Sequence, residues 1–305
     1  MRSKSSRALR VYPDVISLLV DGWPTPLVRL RGLSRGGREV WAKLEFYNPF
    51  SRSIKDRPAW NMVRRAAEEG TLSHAIYEAT SGNTGIALAA LSNVLGRRFR
   101  AYLPRNTPRA TEILLRVLGA EVVRTGFDAI DERFWRMVED EARRSGATNL
   151  NQFVNDANYE VHYEYTAREL VGQLRSADIS PACVVAGIGT AGHISAISRR
   201  LKREFRGVRI VGVQPSRGSY IPGIKRLETG QKWICDAEID EVVDVSLEEA
   251  IRGVVEVARA EGLLVGLSSG AVYHAYKLVA REDGAYILIF PDDIFKYLEY
   301  FRGVV

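Results

Sequence analysis

The sequence predicts an α/β fold in which two three-layer units each place a mostly parallel sheet between helices. Short apolar segments typical of buried strands alternate with longer segments typical of helices, and several strands end in turns rich in glycine and hydroxyl groups. The 305 residues also exceed the usual size of one domain. A cleft between two such units is the expected ligand site.

The predicted elements form two consecutive series. The first has strands at residues 40–45, 75–79, 99–103 and 121–124, and helices at residues 55–69, 82–95, 109–118 and 128–144. The second has strands at residues 183–186, 208–214 and 286–290, and helices at residues 158–174, 192–204, 247–261 and 271–281. The boundary near residue 150 predicts one domain at residues 40–150 and a second formed by residues 1–39 with 151–305.

Composition excludes several classes of protein. With 46% hydrophobic and 26% charged residues, the chain has an ordinary globular composition. We find neither an uncharged apolar run of ~18 residues nor a signal-peptide segment, so we expect a cytoplasmic protein without membrane contact. The formal charge of +6 is spread over short basic clusters. The chain has no dense basic run or RNA-binding signature, and an anionic small substrate explains the charge equally well; a nucleic-acid binder would show salt-dependent retention.

Histidine and cysteine spacing predicts no metal site. The four histidines, His74, His162, His193 and His274, form no H-x-x-x-H or H-E-x-x-H pattern. The two cysteines, Cys183 and Cys235, are too few for a disulfide framework, although one bridge between them is compatible with the sequence.

Two glycine turns follow predicted strands and open helices. Residues 80–85 read Thr-Ser-Gly-Asn-Thr-Gly, and the exposed N–H groups of such a turn bind a carboxylate or phosphate, the alternative being a plain helix cap. Residues 187–192 have a G-x-G-x-x-G pattern. A dinucleotide fold requires an acidic residue at the end of the next strand, where this chain has Gln214. A single phosphate is therefore the better-matched ligand.

Two further segments indicate a function only when they are considered together with the two glycine turns. Lys55 lies in Ser-Arg-Ser-Ile-Lys-Asp-Arg-Pro at the start of a predicted helix, where a lysine taken alone would be a solvated surface residue. Residues 266–271, Gly-Leu-Ser-Ser-Gly-Ala, would by themselves indicate only a helix start.

Together, in this order, these four motifs resemble the cysteine synthase and cystathionine β-synthase family of enzymes that use pyridoxal 5'-phosphate (PLP), fold type II (tryptophan synthase β-like). The resemblance covers nearly the full chain. Residues 43–50, 151–158 and 219–226 look most like archaeal O-phosphoserine sulfhydrylase.

The resemblance implies roles for particular residues. Lys55 would form the Schiff base, Asn83 would hydrogen-bond the ring hydroxyl, and Ser268 would face the pyridine nitrogen. The cofactor phosphate would be held by Gly189, Thr190, Ala191, Gly192 and His193. The family's loop is usually G-T-G-G-T, so Ala191 and His193 depart from it. The substrate carboxylate would be held by Thr80, Ser81, Thr84 and Gln152.

The implied reaction is β-replacement that makes L-cysteine from O-phospho-L-serine and sulfide through an aminoacrylate, with O-acetyl-L-serine as another donor. Lys225 or Arg226 would bind the substrate phosphate, although an arginine is expected at the position of Lys225. The smaller, first domain would carry Lys55 and the carboxylate turn and would close over the substrate. A neutral Ser268 makes the ring a weaker electron sink than a carboxylate would, which favours elimination. Homodimers are common in the family.

Four alternatives remain open: an O-acetylserine-specific cysteine synthase, a cystathionine β-synthase, a serine/threonine dehydratase, and a non-catalytic binding protein on the same scaffold. The last would require a lost lysine or a broken phosphate loop.

Overall fold

The computed structural model describes residues 10–303, whose strands form two sheets. The strands are β1 Leu27–Arg29, β2 Arg38–Leu44, β3 Ala75–Ala79, β4 Arg98–Leu103, β5 Glu121–Arg124, β6 Pro181–Gly187, β7 Arg209–Pro215, β8 Glu241–Val245 and β9 Gly284–Phe290. The larger sheet has the order β1-β2-β9-β6-β7-β8 and the smaller one β3-β4-β5. Only the β1–β2 pairing among these is antiparallel. The predicted α/β class with mostly parallel sheets is therefore confirmed.

Helices cover these sheets. They are α1 Val15–Val20, α2 Asp56–Glu68, α3 Asn83–Val94, α4 Arg109–Val117, α5 Glu132–Arg144, α6 Asp156–Val161, α7 Arg168–Ser176, α8 Gly192–Glu204, α9 Leu247–Glu261 and α10 Leu267–Val279, with a π-helix at His162–Ala167 between α6 and α7. Strands β6 and β9 are buried along almost their whole length because apolar clusters pack on both faces of the larger sheet.

Most predicted elements are present with ends shifted by a few residues. The predicted helix at 128–144 begins at Glu132 because the Asp131 carboxylate caps it, accepting a hydrogen bond from the Phe134 N–H. The predicted helix at 271–281 begins at Leu267, so Ser268 lies in its first turn. The sequence analysis missed α1, the short β1 and β8, and the π-helix inside the predicted helix at 158–174.

The predicted first domain, residues 40–150, contains strands from both sheets. Strand β2, assigned from sequence to the unit at residues 40–150, pairs with β9 in the larger sheet. Strands β3 to β5 form the smaller sheet on their own. The domain division itself stays a prediction, and its ends at residues 1–9 and 304–305 lie outside the described residues. No helix among residues 10–303 is long and apolar enough to cross a membrane.

Candidate active site

Three strands direct their carboxyl ends toward one region of the molecule. β3 leads into the 80–85 turn and α3, β6 leads into the 187–193 loop and α8, and β9 leads into residues 291–293. The segment before Lys55 joins the last of these, because the N–H of Ile54 donates to the carbonyl of Pro291 at 2.8 Å. Carboxyl ends of parallel strands are where ligands bind in open α/β sheets.

Lys55 caps the N-terminus of α2 in a partly buried position. Burial lowers the pKa of its ammonium to about 8, against the opposing charge of Asp292. Among residues 10–303 its Nζ has no hydrogen-bond partner. An amine with this pKa is partly neutral near physiological pH and can act as a nucleophile or base.

The 187–193 loop presents unused backbone donors. From Gly189 to His193 the N–H groups have no acceptor within the described part of the chain. A side chain at Gly189 would collide with the Gly223 carbonyl, its Cβ lying 2.7 Å from that oxygen. Ala191 adopts φ +69° at the N-cap of α8, a left-handed conformation usually left to glycine. Five consecutive free N–H groups and a helix N-terminus suit an anion.

The residue near the end of β7 argues against a dinucleotide at the 187–193 loop. Gln214, which occupies the position of the ribose-binding acid, donates to the Asp244 carboxylate at 2.6 Å and accepts from the Leu227 N–H at 2.9 Å. Its side chain is therefore committed within the protein, as the sequence argument required.

His193 stands beside this loop with unused hydrogen-bonding capacity. Its imidazole is 4% exposed, and both ring nitrogens lack a partner among the described residues. Burial, followed by the charge of Lys55, lowers the pKa of His193 to about 3, so the ring is neutral. His162, the first residue of the π-helix, packs edge-on against it with ring centroids 5.9 Å apart. Sequence reasoning assigned no role to His162.

The 80–85 turn forms a second anion site. The N–H groups of Ser81, Asn83 and Thr84 have no acceptor among residues 10–303, whereas Thr80 Oγ1 accepts from the Gly85 N–H at 2.9 Å. Thr84 Oγ1 donates to Gln152 Oε1 at 2.6 Å, so the structure brings Gln152 to this turn.

Two buried residues that the sequence did not single out hold this arrangement. The carboxylate of Glu78 accepts from the N–H groups of Asn151 and Gln152, both at 3.0 Å. The Nδ2 of Asn158 donates to the Gln152 carbonyl at 2.7 Å and to Thr190 Oγ1 at 3.1 Å. Because Gln152 contacts Thr84, Asn158 links the two anion-binding turns through Gln152. Glu78 lies one residue before the end of β3. An acidic residue inside a buried strand is unusual, so the sequence could have drawn attention to this position.

Ser268 lies in the first turn of α10 and is buried. The loop at residues 221–225 covers it, and a Cβ on Gly223 would lie 3.9 Å from Ser268 Oγ. The same loop reaches the 187–193 loop, because the Lys225 N–H donates to the Ile188 carbonyl at 2.6 Å.

Lys225 and Arg226 point in different directions. The Nζ of Lys225 donates to the Ile130 carbonyl at 2.9 Å and lies 4.7 Å from the ring centroid of Phe153, next to Gln152. Burial lowers the pKa of Lys225 to about 8, opposed by the charge of Asp131. Arg226 instead donates to Asp244 and Glu228, both at 2.9 Å. The structure thus does not bring the Arg226 guanidinium together with Lys225.

A buried network of ion pairs lies at the start of α2, beginning two residues after Lys55 in the sequence. Arg57 Nε donates to Glu45 at 2.7 Å, and both Nη atoms donate to Glu169 at 2.8 Å. Burial raises the pKa of Glu45, but the charges of Arg57 and Lys43 outweigh it and lower that pKa to about 2. The network joins the start of α2 to α7 and to the end of β2.

No three histidine, cysteine, aspartate or glutamate side chains gather into a metal-binding cluster within residues 10–303. Cys183 is buried and Cys235 is exposed, and both are free thiols.

A partly neutral lysine between two anion-binding turns defines a class of protein, the enzymes that bind PLP through an amine and a phosphate loop. The residues present fit this cofactor: the loop donors are free, and both ring nitrogens of buried His193 lack a partner in the described chain. Residues 18–290 match the family described as "Pyridoxal-phosphate dependent enzyme", and the chain belongs to that family, in its cysteine synthase and cystathionine β-synthase group.

Comparison with known proteins shows which enzymes of this group the chain resembles. Cysteine synthase B of Escherichia coli (strain K12) is 36% identical over 281 residues, which cover 90% of this chain and 91% of that protein. N-(2-amino-2-carboxyethyl)-L-glutamate synthase of Cupriavidus metallidurans is 35% identical over 301 residues, covering 90% and 86%. The crystal structure of O-ureido-L-serine synthase superposes with a TM-score of 0.87 at 27% identity, covering 97% of each chain. The chain is therefore a cysteine synthase-like, PLP-dependent enzyme of fold type II.

Proposed function

We propose that this enzyme makes L-cysteine by β-replacement, taking O-phospho-L-serine and sulfide as substrates. The observation that carries the proposal is Lys225. Its ammonium is partly buried, forms no ion pair among residues 10–303, and lies against Phe153, the neighbour of Gln152. A buried cation without a carboxylate partner is costly, and an anionic substrate group offsets that cost.

In this proposal the chain's own groups divide the work. The 187–193 loop and the His193 region hold the cofactor phosphate, Asn83 contacts the ring oxygen, and Ser268 faces the ring nitrogen. When bound, PLP supplies the electron sink that lets the α-proton and then the β-substituent of the amino acid leave. The Lys55 amine both holds the cofactor and takes the α-proton, for which its pKa of about 8 is suited.

The substrate is gripped at both of its ends. Free N–H groups and hydroxyls of the 80–85 turn, with Gln152, bind the α-carboxylate. The Lys225 ammonium binds the phosphate, which leaves as inorganic phosphate while hydrosulfide forms the new bond at Cβ. Asn158 contacts both Gln152 of the carboxylate site and Thr190 of the phosphate loop, which keeps these two sites in register. We assign no substrate contact to Arg226, since Asp244 and Glu228 occupy it.

O-acetyl-L-serine is the second candidate substrate. A crystal structure described as an O-acetylserine dependent cystathionine beta-synthase from Helicobacter pylori superposes with a TM-score of 0.85 at 27% identity and covers 95% of this chain. The acetyl ester of the bound substrate is neutral, so its binding would gain little from the Lys225 charge.

Steady-state kinetics with each donor and sulfide distinguish the two substrates. We expect K225A to raise the KM for O-phosphoserine about tenfold or more, because a charge-assisted hydrogen bond is lost, and to leave the KM for O-acetylserine nearly unchanged. K232A is the matched control, because Lys232 is an exposed lysine of the same segment paired with Asp156.

Equal losses with both donors would contradict the role of Lys225. K55A should abolish turnover and the visible absorbance of the bound cofactor, and retained turnover would contradict the catalytic assignment. Product assays with homocysteine, or without sulfide, identify cystathionine synthesis or release of a keto acid if either is the true reaction.

A further inference from the structure

Asp292 lies where the three segments assigned to the cofactor ring meet, and none of the roles above uses it. The N–H of Ile54 donates to the Pro291 carbonyl at 2.8 Å, and the N–H of Gly266 donates to the Asp292 carbonyl at 2.9 Å. The backbone after β9 therefore ties the segment before Lys55 to the segment before Ser268.

The Asp292 side chain reaches the third segment. Its carboxyl group is 1% exposed, and Oδ2 accepts from Asn83 Nδ2 at 2.8 Å and from the Tyr297 hydroxyl. Oδ1 has no partner among residues 10–303. Gly266 makes room for it, since a Cβ there would lie 2.0 Å from Asp292 Oδ1.

A buried carboxylate held this way has a specific effect on Asn83. The amide of an asparagine can turn and exchange its oxygen for its nitrogen, which reverses what it offers to a ligand. Asp292 Oδ2 acts as an acceptor because the Tyr297 hydroxyl also donates to it, so contact with this oxygen keeps the nitrogen of Asn83 on this side. One of the two protons on Nδ2 goes to Asp292, and the other remains available.

Opposing effects act on the Asp292 carboxyl, and their sum raises its pKa above the ordinary value. Burial raises the pKa of its carboxyl, whereas the charge of Lys296 and the hydrogen bonds from Tyr297 and Asn83 oppose that rise. Lys296 is itself occupied, as its Nζ donates to Asp293 at 3.2 Å and to the Ser51 carbonyl at 3.1 Å. The Tyr297 hydroxyl and the Asn83 amide, both neutral donors, therefore hold the Asp292 carboxyl group in one orientation.

We propose that Asp292 is a positioning residue for the cofactor: held by Tyr297, it accepts one N–H of Asn83 and directs the other N–H of that amide to the cofactor ring oxygen. The proposal rests on the assignment of Asn83 to the ring oxygen. It adds a residue that the sequence motifs did not indicate.

The test compares purified holoenzymes by visible absorbance of the bound cofactor and by cofactor affinity after dialysis. We expect D292A to shift the absorbance maximum and to weaken PLP binding by about tenfold, the loss expected for one oriented hydrogen bond to a charged group. D292N keeps an acceptor oxygen and should retain most of the wild-type spectrum and affinity.

D293A is the matched control, because Asp293 is a buried carboxylate next in sequence that pairs with Lys296 and Arg52. Its loss should lower the melting temperature without moving the absorbance. If D292A and D293A change the spectrum in proportion to their lost stability, Asp292 is only structural and the proposal fails.

Two further variants keep the proposal testable if D292A does not fold. Y297F removes the other hydrogen bond to Asp292 and should give a smaller shift in the same direction, and an unchanged spectrum would contradict the proposal. In an N83A background, Y297F should cause no further spectral change. If N83A alone leaves the spectrum unchanged, the assignment of Asn83 fails rather than the coupling to Asp292.

Discussion

The buried carboxyl of Glu78 gives this protein a stability that falls as pH rises through neutrality. Burial raises the pKa of Glu78 from an ordinary value of 4.5 to about 7, despite the hydrogen bonds from Gln152 and Asn151 that oppose the rise. Between these two pH values the folded protein keeps a proton that the unfolded chain has lost. Raising the pH in this window therefore favours unfolding.

The magnitude follows from the pKa difference. From about pH 5 to about pH 8, ionisation of Glu78 costs the folded state about 2–3 kcal/mol relative to the unfolded chain. E78Q removes that cost but leaves one of the two backbone N–H groups without an acceptor, a loss of about 1–3 kcal/mol at every pH. The pH dependence of the difference is thus the informative quantity.

The assay is urea unfolding of cofactor-saturated protein at both pH values, for wild type and for E78Q. Between about pH 5 and about pH 8, we expect the unfolding free energy of E78Q to rise by about 2–3 kcal/mol relative to that of wild type. E68Q is the control, since it removes an exposed carboxylate from an i,i+4 pair with Arg64 worth at most about 0.5 kcal/mol. A difference between E78Q and wild type that does not change with pH would refute the reasoning.

Two further predictions concern backbone strain and buried charge. A191G should raise the unfolding free energy by up to about 1 kcal/mol because Ala191 has φ +69°, whereas A196G, within regular helix α8, should lower it by about 1 kcal/mol; denaturant titration checks both, and equal signs would contradict the strain. R57M should lower the unfolding free energy by about 3–5 kcal/mol because it leaves the buried Glu45 without its cation, and the double variant R57M with E45M should recover part of that loss in thermal unfolding. Additive losses would show that the pair does not act together.

Local sequence determined the elements and the two anion-binding turns. Strands followed by glycine-rich turns predicted the α/β class, and the free N–H groups of the 80–85 turn and the 187–193 loop are consequences of where helices begin after strands. The replacement of an acid by Gln214 was also enough to reject a dinucleotide. These are properties of a few neighbouring residues, so no distant contact was needed to infer them.

Only the tertiary structure decided which distant groups serve the site. Asp292 and Glu78 matter through partners 209 and 73 to 74 residues away along the chain, and no local pattern encodes such pairings. Strand β2 joined the larger sheet because its pairing with β9 is set by the packing of the whole domain. Arg226 and Lys225 are neighbours in sequence but diverge in space. Asp244 of β8 and Glu228 hold the Arg226 guanidinium, whereas the Lys225 ammonium faces Phe153.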